Sequence, residues 1–325
     1  MTTVQLHNAS MQMKLSKAYF ARCAFGVAIG CIMPSILLSQ ADPKPSLPPE
    51  PFAVSNDSPS PASLVSTETE LRRDLEQHPE SAAALYKLGL VLRLENKPKE
   101  SLETYTRAAV LQKPNAEQLR SVALDYVLLD DYYDAIHWLQ AALSFEPRNA
   151  EVLYSLGRCF YTQGDYPKAE ALYLQVLAIK PDHLKAEENL GLAYDAENKP
   201  EKAEAALRTA AEWAAKQPSD EWPFLNLGSI LIDHNRAAEA VPILQRATKI
   251  ASKCASCHEK LGRALENSGN IAEGVKELEI AAQLDPKSSA VHFELGRAYR
   301  HAGDLEKARV EFAASEALSK ERDRK

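Results

Sequence analysis

The sequence predicts an all-α protein, an α-solenoid built from stacked helical hairpins. Three observations predict this fold. A residue pattern recurs about every 34 positions, small residues occupy two fixed places in each copy, and a turn-forming residue lies between them. A period of roughly 20 to 50 residues is typical of stacked supersecondary units, each of which buries its apolar face against the next.

The N-terminal segment 1–41 differs in composition from the rest of the chain. Basic residues precede the apolar run 23–38, and the small residues Ser39 and Ala41 follow it. This order predicts a cleaved signal peptide over 1–41, and therefore an exported protein that is periplasmic, associated with the cell envelope or secreted. A retained membrane anchor and a lipoprotein cut before Cys31 are the alternatives, although a membrane span needs roughly 20 apolar residues.

Residues 42–64 form the next segment, which is rich in proline and serine. Such a composition buries little apolar surface, so the segment is predicted to be a disordered linker. The solenoid is predicted to occupy 65–322, with a charged tail at 323–325. Within it, residues 67–79 look like the second helix of a half-repeat that precedes the first full one.

The repeat is clearest when it is aligned on its Leu-Gly pairs. Successive glycines are spaced by 68, 34, 37, 34 and 34 positions, and Ala123 lies at the midpoint of the long gap. Seven units result, one of them longer by three positions. The six glycines of the Leu-Gly pairs are Gly89, Gly157, Gly191, Gly228, Gly262 and Gly296.

A second small residue follows 12 positions after each of these glycines or Ala123. Two helices that cross closely need small side chains on both, and large apolar residues three or four places further on share the same helical face. Each unit is therefore predicted to be a pair of packed helices. The second small positions are Ser101, Ala135, Ala169, Ala203, Ala240, Gly274 and Ala308.

Turn-forming residues separate the two helices of each unit, and prolines follow most second helices. Glycine, asparagine and aspartate tolerate a positive φ, whereas proline cannot continue a helix. The predicted unit is thus helix, turn, helix, proline. The turn residues are Asn96, Asp130, Gly164, Asn198, Asn235, Gly269 and Gly303, and the prolines are Pro114, Pro147, Pro181, Pro218 and Pro286.

The stretch 153–181 carries Leu-Gly, an aromatic residue, Gly-Asp-Tyr, alanine, tyrosine and proline in one register, and it resembles the tetratricopeptide repeat family. The resemblance extends over about 82–322. It implies a right-handed solenoid whose concave surface, lined by first-helix residues, contacts other proteins. The chain contains no recognisable catalytic motif, so it is predicted to be a non-enzymatic scaffold without a cofactor or metal.

Aromatic residues and arginines mix at the concave positions of the N-terminal repeats, and these types dominate interface energetics. Because arginine also binds carboxylates, the pattern predicts a groove for a partner segment, and an acidic segment would suit it. The alternative is a solvated face whose arginines contact water or neighbouring glutamates. The candidate groove residues are Tyr86, Arg93, Arg120, Tyr154, Arg158 and Tyr161.

Other partners follow from charge and from the last helix. A net charge of −7 does not favour nucleic acid. A membrane contact is expected only through an uncleaved leader. The apolar residues Val310, Ala314 and Leu318 suggest a docking face or self-association.

The residues Cys254, Cys257 and His258 have the Cys-x-x-Cys-His spacing that attaches a c-type haem. His258 aligns with His292, which lies one repeat later and has no cysteines beside it. A local disulfide or two thiols is therefore preferred, with covalent haem and zinc as alternatives. A redox protein that uses a haem or a functional disulfide here is the second interpretation of function. Cys159, two residues after Gly157, is interpreted as a small packing residue.

Overall fold

The computed structural model describes residues 60–216 and 220–322. The predicted leader and most of the predicted linker lie outside these residues. Fifteen α-helices and no strands form the described part of the chain, which confirms the predicted all-α solenoid of helix–turn–helix repeats. The chain divides into two units, residues 1–168 and 169–325, with the boundary inside the seventh helix.

The first unit contains the half-repeat and the first helical hairpins. Its first helix packs on the second, where Leu75 contacts the buried cluster of Leu85, Tyr86, Tyr105 and Ala108. The helices of this unit are α1 (Pro61–Gln77), α2 (Ala82–Leu94), α3 (Pro98–Leu111), α4 (Ala116–Leu128), α5 (Tyr132–Phe145), α6 (Ala150–Thr162) and the start of α7 (Tyr166–Ile179).

The second unit continues the same alternation of first and second helices. Its longest interior helix, α9, has 17 residues where other second helices have 14, so the insertion in the stretched repeat lengthens this helix. After α7, its helices are α8 (Leu184–Ala196), α9 (Pro200–Lys216), α10 (Trp222–Asp233), α11 (Ala237–Ile250), α12 (Ala255–Asn267), α13 (Ile271–Leu284), α14 (Ser289–His301) and α15 (Leu305–Arg322).

Helix α1 begins at Pro61, shortly before residue 65, the predicted start of the folded region. Ser60 is the N-cap and its hydroxyl accepts a hydrogen bond from the amide of Ser63, while Pro61 occupies the first helical position. Proline has no amide hydrogen and its fixed φ suits a helix, so it starts this helix well. The last residues of the predicted linker therefore belong to the half-repeat.

The turn between the two helices of each repeat has a positive φ at all seven predicted residues. The values run from 58° at Asp130 and Asn198 to 91° at Gly269. Only glycine, or a short polar side chain such as that of Asn or Asp, reaches this region at low cost. The prediction of the turn chemistry is confirmed in every repeat.

Close approach of the paired helices explains the small residues. A Cβ added to Gly262 would lie 2.6 Å from Leu278 Cγ and 3.0 Å from the carbonyl oxygen of Gly274. The predicted alanines of the second position are buried as well, with Ala169, Ala203 and Ala240 each 0 % exposed. The repeat therefore preserves small residues because larger ones would force the helices apart.

The N-cap residue of the first helix performs one task in most repeats. Its side chain accepts a hydrogen bond from the backbone amide three residues later, which satisfies one of the unpaired amides at a helix start. The residues that do this are Ser81, Asn115, Asn149, His183, Cys254 and Ser288.

Candidate functional site

All six predicted groove residues lie in the first unit, on its first helices α2, α4 and α6. Tyr86 and Arg93 are seven residues apart on α2, and Tyr154 and Tyr161 have the same spacing on α6. Such spacing keeps two side chains on one face of a helix. The structure therefore groups each pair by face, as the concave positions of the repeat require.

Arg93 is the most unusual of the six. Arg93 is 8 % exposed, and its Nε is fully buried. Its guanidinium nevertheless makes no hydrogen bond and no ion pair with any described residue. Burial lowers the pKa of Arg93, and the nearby charge of Arg120 lowers it further. Nε has lost its hydration without gaining an acceptor, and this costs stability in the isolated chain.

The nearest acid to Arg93 does not compensate this charge well. Asp125 is 0 % exposed, and burial raises the pKa of its carboxyl to about 7, although the hydrogen bond from Ser101 and the charge of Arg93 oppose that rise. Its Oδ1 has no hydrogen-bond partner among the described residues. Asp125 is thus an acid that spends part of its time neutral near neutral pH.

The contacts of Ser101 support a protonated Asp125. Ser101 Oγ lies 2.8 Å from the carbonyl oxygen of Gly89 and 2.6 Å from Asp125 Oδ2. A hydroxyl has one hydrogen. When Asp125 is ionised, the one hydroxyl hydrogen of Ser101 is shared between two acceptors, whereas a protonated Asp125 can donate to Ser101 Oγ while Ser101 donates to Gly89.

Tyr86 and Tyr161 are buried supports of this face. The Tyr86 hydroxyl donates to the carbonyl oxygen of Gln112 at 2.6 Å, and burial raises the pKa of this phenol to about 12. Tyr161 is 3 % exposed and packs edge-on against Tyr166, with ring centroids 5.1 Å apart. Both side chains are therefore held in place by contacts within the protein.

The remaining three residues have different environments. Arg120 is paired with Glu117 at 2.6 Å, and its side chain is 15 % exposed. Arg158 is 5 % exposed and Tyr154 is half-buried, and both interact with other groups of the protein. Arg120 thus contacts a neighbouring glutamate, which was the alternative interpretation of these arginines, whereas Arg93 makes no such contact.

Sequence reasoning missed Ser101 and Asp125 as polar members of this site. The signal was present in the alignment, because Asp125 occupies a position that is apolar in every other repeat. A carboxyl group at a core position needs a reason, since burial disfavours its charge. The residues at this position elsewhere are Val91, Cys159, Ala193, Ile230, Ala264 and Ala298.

Cys254 and Cys257 are joined by a disulfide at the start of α12. The structure thus takes one of the alternatives that the sequence left open. Cys254 is half-buried, and its Sγ accepts from the amide of Cys257 at 3.1 Å, whereas Cys257 is 0 % exposed. The third cysteine of the described region, Cys159, is buried as an unbridged thiol, and burial raises its pKa to about 12.

His258 connects the disulfide turn to the next helix. Its Nδ1 contacts Glu277 Oε2 at 2.7 Å, and its Nε2 contacts the carbonyl oxygen of Ser252 at 3.2 Å. Both ring nitrogens are therefore occupied by groups of the protein. The imidazole ties the turn to α13.

His292 makes the same two contacts one repeat later. Its Nδ1 contacts Glu311 Oε2 at 2.6 Å and its Nε2 contacts the carbonyl oxygen of Pro286 at 3.2 Å. Both partners occupy the repeat positions that Glu277 and Ser252 occupy for His258. The histidine is a repeated structural element, as its alignment predicted, and the cysteines are an addition to one copy.

The last helix leaves part of its predicted apolar strip exposed. Val310 is 64 % exposed, whereas Ala314 and Leu318 are half-buried. In the described part of the chain, no group of His, Cys, Asp and Glu side chains could hold a metal ion. None of the described helices combines the length and the apolar composition of a membrane span.

Comparison with known proteins identifies the repeat. One family model for the tetratricopeptide repeat matches residues 68–117, 123–183 and 259–321, and a second model with the same description matches 161–222. The matched segments cover more than half of the chain. They include the first helices that carry Arg93 and Arg297.

Relatives of known function match over limited lengths. The bovine protein "BBSome complex member BBS4" (Bos taurus) is 26 % identical over 181 residues, which are 55 % of this chain and 34 % of that protein. The nematode "Tetratricopeptide repeat-containing protein trd-1" (Caenorhabditis elegans) is 28 % identical over 155 residues, 47 % of this chain and 19 % of that protein. The chain thus spans between about a fifth and a third of the curated relatives it matches.

Solved structures share the fold at low identity. The APC/C hetero-tetramer Cut9-Hcn1 superposes with a TM-score of 0.60 and 15 % identity over 79 % of this chain and 50 % of that one. The pilF protein of Pseudomonas aeruginosa superposes with a TM-score of 0.58 and 18 % identity over 69 % of this chain and 98 % of that one. These likenesses concern the fold alone.

Proposed function

This chain belongs to the tetratricopeptide repeat family, and we propose that it is a non-enzymatic scaffold that binds a segment of another protein on the first-helix surface of its first unit. The segment carries a carboxylate that reaches Arg93. Stacked helical hairpins offer extended binding surfaces of this kind. Membership of the family supports protein contact, and the acidic segment is what we add to it.

The main support for this proposal is the environment of the Arg93 guanidinium. Its Nε is buried without an acceptor among the described residues, and the nearby Asp125 is not a full counter-charge near pH 7. A carboxylate accepts two hydrogen bonds from one guanidinium in parallel geometry. A bound acid would therefore recover the hydrogen bonds and the charge compensation that the isolated chain lacks.

The cellular location of the protein is also part of the proposal. The composition of residues 1–41 supports export, so the partner would be a protein of the cell envelope or of the surroundings. Cell fractionation with an antibody against the solenoid tests this. Recovery of the full-length chain in the cytosolic fraction alone would remove the exported location.

The binding proposal is tested with a displayed library of random peptides selected on the full chain. We expect the enriched peptides to share an aspartate, a glutamate or an exposed C-terminal carboxylate. Replacing that acid by its amide should weaken binding at least tenfold, because the contact with a buried guanidinium is lost.

A matched pair of variants locates the site. Arg93→Met should weaken the selected peptides at least tenfold, whereas Arg297→Met, which changes an arginine of the second unit, should bind them as the unaltered chain does. Circular dichroism confirms that both variants are folded. Enrichment of no peptide, or equal binding by Arg93→Met, would overturn the proposal.

The haem alternative stays a prediction with its own test. The chain is produced in a host that matures c-type cytochromes, and its visible spectrum and intact mass are recorded. We expect neither a Soret band nor the mass of a covalent haem. Either one would move Cys254, Cys257 and His258 from a structural turn to a haem site.

A further inference from the structure

The two bridged cysteines differ in access, although they are three residues apart. Cys254 lies at the N-cap of α12 and is half-buried, so it is the more accessible residue of the pair to an external thiol. Cys257 lies in the first turn of the same helix and is 0 % exposed. Disulfide exchange depends on which sulfur can be attacked. Here the fold directs attack to Cys254.

The position of Cys254 favours a thiolate once the bridge is opened. In the other repeats with a capping side chain, this N-cap position holds an acceptor for the amide three residues later. Cys254 keeps that bond, since its Sγ accepts from the amide of Cys257 at 3.1 Å. A helix N-terminus lowers the pKa of a cysteine placed there, because the unpaired amides and the helix dipole stabilise the anion.

We propose that Cys254 and Cys257 form a redox-active disulfide that exchanges with a dithiol of another protein. A thiolate of that protein attacks Cys254 Sγ, the S–S bond breaks, and the sulfur of Cys257 leaves and takes up a proton. The second thiol of the partner then attacks the mixed disulfide and releases Cys254 as a thiolate. The partner loses two electrons and the cysteine pair gains them. Another disulfide, from a protein or a small molecule, reoxidises the pair.

The repeat that follows shows that the turn does not need the covalent bond. Ser288 occupies the place of Cys254 and Val291 the place of Cys257, so this copy has no bridge. Its N-cap still accepts from the amide three residues later at 3.3 Å, and His292 keeps both of its contacts. The reduced pair can therefore occupy the same turn, which lets the protein change redox state without unfolding.

Charged and polar groups flank the turn. Lys253 precedes Cys254 and favours a thiolate. His258 lies one turn further on and contacts Glu277, which packs from α13. Ser256 Oγ lies 3.4 Å from Cys254 Sγ and can donate to it. The polar groups next to the sulfur thus act in the same direction as the helix N-terminus.

The first measurement is the pKa of the Cys254 thiol in the full chain carrying Cys23→Ser, Cys31→Ser and Cys257→Ala. Alkylation by iodoacetamide is followed by mass spectrometry between pH 4 and pH 10, on either side of the ordinary value of about 8.5. We expect a midpoint below about 7.5. Buried Cys159 should remain unlabelled. A midpoint at or above the ordinary value would overturn the proposal.

A matched control places a cysteine near the opposite end of a helix. Ser144→Cys, near the C-terminal end of α5, is made in a chain that also lacks Cys254 and Cys257. There the helix dipole disfavours an anion. Its midpoint should equal or exceed the ordinary value, and a midpoint as low as that of Cys254 would show that the N-cap is not the cause.

The second measurement needs no change to the pair. The chain with Cys23→Ser and Cys31→Ser is equilibrated with mixtures of reduced and oxidised glutathione, and the reduced fraction is determined by thiol trapping. A stabilised thiolate should make the equilibrium constant for reduction larger than for an oxidised peptide of residues 250–262. An equal or smaller constant would identify a purely structural bridge and overturn the proposal.

Discussion

Arg93 in the first unit and Arg297 in the second both lie on the concave-type positions of a first helix, but their surroundings differ. Arg297 contacts Glu266 at 3.1 Å and Glu294 at 2.9 Å. Arg93 makes no ion pair with a described residue, and the nearby Asp125 is buried with its pKa raised to about 7. Nε is buried without a hydrogen-bond partner in both arginines, so the two differ in ion pairing: Arg297 has two carboxylate partners and Arg93 has none among the described residues.

The difference lies in the neighbouring acids. Glu266 lies on α12, the first helix of the repeat before that of Arg297, and its side chain is 2 % exposed. It also contacts His301 from the same helix as Arg297. An internal pair of this kind needs no ligand. An unpaired buried arginine has its strongest available interaction with something outside the chain.

The largest expected effect is a pH dependence of the free energy of unfolding, caused by Asp125 in the first unit. Its folded pKa of about 7 exceeds the unfolded value of about 3.9, so the unfolded state releases its proton first as pH rises. The stabilising contribution is full below about pH 4 and is lost as pH rises through 7. We expect a loss on the order of 2–4 kcal/mol in the free energy of unfolding across this range.

Asp125→Asn isolates that contribution. The amide donates to Ser101 Oγ without titrating, so the difference in unfolding free energy between the two proteins should change with pH in the stated direction. Chemical denaturation followed by circular dichroism at pH 4.5, 6 and 8 measures it. A difference that is constant with pH would show that Asp125 is ionised throughout.

The next effect concerns the paired region of the second unit. Glu266→Gln removes the charge that compensates Arg297, and this should lower the free energy of unfolding by about 2 kcal/mol. Thermal and chemical denaturation measure the change. Glu316→Gln, in an exposed pair with Lys320, is the control and should leave the denaturation midpoint unchanged. Equal effects of both substitutions would contradict an internal role for Glu266.

The smallest expected effect is a change in the free energy of unfolding that differs in sign when Arg93 or Arg297 is replaced by methionine. Arg93→Met removes an unpaired buried charge and should leave the free energy of unfolding unchanged or raise it by about 1 kcal/mol. Arg297→Met leaves Glu266 with one partner fewer and should lower it by about 1 kcal/mol. Parallel denaturation curves test this. A clear loss for Arg93→Met would mean that its guanidinium has an internal role, and the contrast would fail.

Much of the fold could be predicted because its determinants are local and repeat. The turn at Asn96 needs a residue that tolerates positive φ, and the crossing at Gly262 needs a missing side chain. Both requirements recur with the same period. The structural role of the histidine was also predictable, because His258 and His292 occupy the same repeat position. The structure shows that their partners are equivalent as well.

The state of the candidate site could not be predicted in the same way. Whether an arginine is paired depends on a side chain of the preceding hairpin, as Glu266 shows for Arg297. The burial of Arg93 likewise depends on how neighbouring helices enclose it. Residue type predicts which groups can bind a carboxylate, whereas only the packed arrangement shows which of them lack a partner.

The turns before α12 and α14, which His258 and His292 connect to the following helices, imply that the second unit can lose or gain a whole repeat. Excision of residues 254–287 would join Lys253 to Ser288 and offer the carbonyl of Ser252 to His292 in place of that of Pro286. The shortened chain should refold with one hairpin fewer and without the disulfide, because each remaining helix would meet a neighbour that carries matching side chains. Changes in the number of hairpins during evolution would then leave the joints between them intact.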